Sequence, residues 1–68
     1  MEIQYTNHAE EQIKERHISK DTVRAVLLKP EREDDSRLGT KIAQKAMNGK
    51  LVRVVYKTEG TKYIIITV

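Results

Sequence analysis

Two histidines and a scatter of arginines, lysines and tyrosines are the residues of this chain that can do chemistry. His8 follows Thr6-Asn7, a pair that can cap a helix, and so falls in a first helical turn. Backbone N–H groups and the positive dipole end favour a neutral imidazole there, the form a general base needs. The plainer alternative for His8 is a polar first-turn residue. Arg16 comes two helical turns later, and a guanidinium suits bidentate contact with a phosphate or a structural ion pair with an acid. His17 stands where the chain must turn, and its type tolerates a left-handed backbone, so it reads as structural. The nine-residue interval between the histidines matches no familiar metal spacing. No cysteine, Ser-His-Asp order, P-loop or Gly-rich nucleotide fingerprint is present, and nothing calls for a cofactor or a metal.

The charge is divided unevenly along the chain. Residues 1–35 hold six Lys/Arg against nine Asp/Glu, whereas residues 36–68 hold seven Lys/Arg against Glu59 alone. A basic half of this kind points to RNA or another polyanion as partner. The 68 residues allow one domain, 1–68, with a small core, so a homodimer or other partner would add stability. No apolar run is long enough to span a bilayer or act as a leader, and the expected location is the cytoplasm.

The elements that must position these residues follow from periodicity. Ile3 and Tyr5 alternate with polar neighbours in a short edge strand or extended lead-in. Thr6 or Asn7 opens a helix over residues 7–16, with Glu10 as a capping-box partner. Ser19 caps a second helix with Val23, Val26 and Leu27 on its buried stripe, and Pro30 ends it. Residues 31–39 read as a charged, solvated loop or a weak edge strand. Asn48-Gly49 then sets a type I′ hairpin with Gln44 opposite Arg53 and Ile42 opposite Val55. Glu59-Gly60 closes a second hairpin with Tyr56 facing Tyr63, Val54 facing Ile65 and Val52 facing Thr67. The expected architecture is α+β: two N-terminal helices packed on a curled antiparallel sheet of three to four strands.

This register separates two sheet faces. Ile42, Ala46, Leu51, Val55, Ile64, Ile66 and Val68 form the more apolar one, which should receive the helices. Lys41, Lys45, Tyr56, Tyr63 and Thr67 rim the other, where lysines can hold phosphates and tyrosines can stack bases. Arg53 does not fit that face. A bulge at Gly60 would exchange the faces of the last strand.

The motifs Thr6-x-His8-Ala9, Glu15-Arg16-x-Ile18-Ser19 and Ile66-Thr67-Val68 resemble those of a small bacterial family known only as a domain of unknown function. That family is similar to the RelE-type toxins, in the wider barnase, colicin and RelE grouping of metal-independent ribonucleases. The resemblance implies a RelE-like sheet that holds RNA and an antitoxin-like protein partner. It implies catalytic roles for His8, Arg16 and Thr67, and makes Lys45 and Arg53 loose analogues of the toxins' basic sheet residues. His17 stands where the family usually has Gly, and the related toxins are usually longer. A non-catalytic module binding nucleic acid or protein is the alternative reading of the same residues.

Overall fold

The computed structural model describes residues 1–68. The first strand, β1 (Glu2–Tyr5), leads into α1 (Asn7–Arg16), and α2 (Lys20–Leu28) follows. Three further strands and a hairpin partner complete the chain: β2 (Arg32–Asp35), β3 (Lys41–Met47), β4 (Lys50–Glu59) and β5 (Lys62–Thr67), with a short 3₁₀ turn at Arg37–Gly39 between β2 and β3.

Both helices start and stop where their end residues dictate. Thr6, rather than Asn7, caps α1: its Oγ1 accepts from the Ala9 N–H at 3.1 Å. Glu10 takes no part in that cap and pairs instead with Lys20 at 2.9 Å. His17 ends α1 with φ 55°, ψ 43°, and the Ile18 N–H reaches back to the Ile13 carbonyl at 3.0 Å. Ser19 Oγ caps α2 through the Thr22 N–H at 3.0 Å. Val23, Val26 and Leu27 are buried, as their spacing requires. On α1 the buried residues are Ala9 and Gln12, with Ile13 only half-buried.

The sheet corrects the expected architecture. It has five strands in the order β1-β5-β4-β3-β2, and it is mixed rather than antiparallel. β1 runs parallel to β5, with Ile3 opposite Tyr63 and Tyr5 opposite Ile65. The helices are therefore not N-terminal additions; they lie between the first strand and the rest of the sheet. Of the two readings of the acidic run, loop or weak edge strand, the strand is the one found: it forms the opposite edge, β2, with Glu33 opposite Ala43. Its four residues are all exposed, which suits charged side chains on a sheet edge.

The β3–β4 hairpin has the expected register, with Gln44 opposite Arg53 and Ile42 opposite Val55. Asn48 and Gly49 carry φ of 53° and 77°, as a type I′ turn demands. The second hairpin differs. Glu59 pairs with Lys62, so the turn is Gly60-Thr61 and Tyr63 faces Thr58 rather than Tyr56. That slide of two residues leaves Tyr63 and Ile65 on their expected face. The irregularity lies later, where Tyr56 pairs with Ile65 but Val55 pairs with Thr67. This bulge inserts Ile66, turns Thr67 to the opposite face and returns Val68 to the core.

The helices cover the face carrying Ala43, Val52, Val54, Tyr56 and Ile65, all buried. α1 lies over β5 and β1, and α2 lies over β4 and β3. This reverses the expected choice of faces. Both faces carry branched aliphatics at alternate positions, so alternation alone cannot say which one is covered. Ala9 on α1 and Ala43 on β3 are essentially inaccessible, and their small side chains allow close helix–sheet approach. The other face, with Ile42, Val55 and Ile64 half-buried and Leu51 exposed, carries no helix.

Candidate nucleic-acid interface

The left-handed turn at His17 swings the end of α1 toward the sheet and brings Glu15, Arg16, His17 and Ile18 to one wall of a cleft of about 570 Å³. The facing wall is the first half of β4, Lys50–Arg53, which β5 does not pair with. Thr67 and Val68 close the cleft at the end of β5. Thr67 is present only because the bulge at Ile66 rotates it out of the covered face.

Hydrogen bonds hold this end of the molecule. The Arg16 guanidinium donates to the Val68 backbone oxygen. The Val68 N–H donates to Gln12 Oε1 at 2.9 Å in a buried bond. Thr6 ties the other end of α1 to β5, its N–H donating to the Ile65 carbonyl at 3.1 Å. Arg53 Nε donates to Gln44 Oε1 at 3.3 Å, fixing the direction of the guanidinium across the hairpin.

The lining is chemically lopsided. Arg16, His17, Lys50 and Arg53 bring nitrogen donors, and Glu15 is the one acid. Ile18, Leu51, Val52, Val55 and Val68 form an apolar floor, and Thr67 offers a hydroxyl. Convergent cationic donors above an apolar floor can hold a phosphate and exclude water from its far side.

The expected site residues divide. Arg16, Thr67 and Arg53 meet in this cleft. His8 does not: it is exposed on the first turn of α1, about 12 Å from Arg16 along the helix axis. The expected tyrosine–lysine face is not an open surface, because the helices cover it. Tyr56 is buried and donates to Glu33, and its ring lies 5.4 Å from that of the half-buried Tyr63. Burial, then the bond to Glu33, raises the Tyr56 hydroxyl well above the usual tyrosine range. Lys41 and Lys45 remain on that covered side, Lys41 directly across from Asp35. Neither lines the cleft.

Sequence reasoning missed His17 and Lys50. The signal for His17 was its place beside Arg16 at a turn: the backbone role is real, and the same turn puts the residue in the cleft lining. Lys50 follows the Asn48-Gly49 turn and lines the cleft as the first residue of β4. No group of three or more His, Cys, Asp or Glu comes together to hold a metal ion. No helix is long and apolar enough to cross a membrane.

The fold and site thus define a small α+β domain with a mixed sheet and a basic cleft where α1 meets the end of β5. Residues 5–68 match the family described as "Domain of unknown function (DUF4258)", and the chain belongs to that family. No curated protein and no solved structure matches it.

Proposed function

We propose that this chain is a toxin-like RNA-binding domain that seats the RNA backbone in the cleft and cleaves it without a metal. The observation that carries this reading is the convergence of Arg16, His17, Lys50, Arg53 and Thr67 on one cleft. Guanidinium groups placed around a phosphate stabilise the charge that builds on it during transesterification. His17 takes over the base role first read for His8. It would remove the 2′-hydroxyl proton as the 2′-oxygen bonds to phosphorus. The bond from phosphorus to the 5′-oxygen then breaks, and that oxygen leaves with a proton from water. The products are a 2′,3′-cyclic phosphate and a 5′-hydroxyl. Thr67, which lines the same cleft, would orient the substrate; Tyr56, buried and bonded to Glu33, would not.

A second reading is a non-catalytic RNA-binding module. The bond from Arg16 to the Val68 backbone oxygen favours it, because that guanidinium already has a structural partner. One experiment separates the two. Single-stranded RNA is incubated with the chain in the presence of EDTA, and binding and cleavage are scored separately for His17→Gln and Arg53→Ala. The enzyme reading expects cleavage that His17→Gln removes while binding persists. Binding without cleavage selects the module, and no binding even at low salt sinks both.

A further inference from the structure

We propose that a second, smaller cavity beside the cleft is a base pocket for a pyrimidine, with Asn48 as the residue that reads it. The inference rests on the reading of the cleft as an RNA site and adds a sequence preference to it. The cavity measures about 140 Å³ and shares Arg16, His17, Ile18, Lys50 and Val52 with the cleft. Thr22, Met47 and Asn48 complete its lining. A phosphate in the cleft and the base of the same nucleotide can therefore occupy adjoining spaces. In the proposed reaction His17, which lines both, meets the 2′-hydroxyl of the ribose that joins them. The base in the pocket then belongs to the nucleotide on the 5′ side of the seated phosphate.

The lining suits a flat ring with polar edges. Ile18 and Met47 are half-buried and Val52 is buried, which gives the space apolar walls. A thioether adapts well against a ring. No Asp or Glu lines the cavity, so nothing there repels a nucleotide. Size favours one ring over two. A cavity of about 150 Å³ holds a benzene ring. A space of about 140 Å³ thus matches a six-membered pyrimidine, and the second ring of a purine exceeds it.

Two polar side chains distinguish this cavity from the cleft. The Thr22 hydroxyl already has a partner, Ser19 Oγ at 2.9 Å. The Asn48 amide enters none of the side-chain hydrogen bonds of the fold. An amide sets a donor beside an acceptor. Uracil answers with N3–H and O4, and cytosine with its 4-amino group and N3. The turn itself does not need that amide. Asn48 has φ 53°, a conformation glycine takes as readily.

The test is an NMR titration of the chain with uridine, cytidine and adenosine 3′-phosphates and with inorganic phosphate. Every probe should shift the Arg53 and Thr67 amides in the cleft. The two pyrimidine nucleotides should also shift Thr22 and Met47, and should bind about tenfold tighter than the adenosine compound. Asn48→Gly keeps the turn, and circular dichroism verifies its fold. It should bring the three nucleotides to similar affinity and leave phosphate binding unchanged. Equal affinity of the parent chain for all three nucleotides overturns the proposal, as does a pyrimidine preference that Asn48→Gly leaves intact. Shifts at Thr22 and Met47 with inorganic phosphate alone overturn it in favour of a second phosphate position. Each of these outcomes leaves the cleft reading standing while Arg53 and Thr67 respond. No response there to any probe overturns the cleft reading and the base pocket together.

Discussion

Arg16 and Val68 stand 52 positions apart, yet the Arg16 side chain donates to the Val68 backbone oxygen. The bond joins the last turn of α1 to the end of β5, and the cleft forms around it. Gln12, one turn earlier on α1, holds the N–H of the same valine. The candidate site thus depends on how α1 is fastened to β5.

Gln12→Ala tests that fastening. It leaves the buried Val68 N–H without a partner and removes packed methylenes. A loss of about 1–3 kcal/mol is expected, read as a lower urea midpoint at unchanged slope. A loss well under half a kcal/mol would mean that water or another acceptor replaces Gln12.

His17→Gly separates fold from chemistry. His17 holds a left-handed backbone at φ 55°, where a Cβ is strained and glycine is not. The substitution should leave stability equal or raise it by up to about 1 kcal/mol, while cleavage falls by about 10² or more. Cleavage at the parent rate in a stable variant would remove His17 from the mechanism.

Arg53→Ala addresses the phosphate contact. Loss of one backbone contact should weaken single-stranded RNA binding evenly across sequences. It should also lower the slope of log affinity against log salt by about 0.7. An unchanged slope would show that Arg53 serves only its bond to Gln44.

Tyr56 sets a dependence on alkaline pH. Burial and the bond to Glu33 raise its hydroxyl above the unfolded value, so the fold favours the protonated form. That contribution is complete below about pH 10, and rising pH removes it as the unfolded phenol ionises first. Lys20, raised by its bond to Glu10, shifts stability in the same direction, since its charged form is the one favoured. Urea midpoints should therefore fall above about pH 10. Tyr56→Phe should cost about 1 kcal/mol at neutral pH and flatten that alkaline fall. An equally steep fall in the variant would assign it to other groups.

The local parts of this structure were legible in the sequence. Thr6, Ser19, His17 and Pro30 mark helix ends through their own backbone preferences, and Asn48-Gly49 fixes its hairpin register. What stayed open depends on distant partners. β1 and the acidic β2 each read as an edge strand or as an unpaired segment, and pairing with β5, some sixty residues from β1, and with β3 decides for the strand. The covered face was misread because aliphatic side chains alternate on both. Thr67 was placed with Tyr63 because the bulge comes after Ile65 rather than at Gly60, and no glycine announces it. For the site, Arg16, Arg53 and Thr67 were recognisable by type, while His17 was credited only with its turn. His8 lies at the far end of α1 from the cleft, and a motif position says nothing about which end of a helix meets the sheet.

The parallel pairing of β1 with β5 has a consequence for synthesis. A growing chain on the ribosome carries β1 and both helices long before residues 62–67 exist. Until those residues emerge, β1 has no neighbour, α1 lacks β5 beneath it, and Arg16 lacks its partner at Val68. The cleft therefore arises only once β5 has been translated, so a nascent fragment cannot display it.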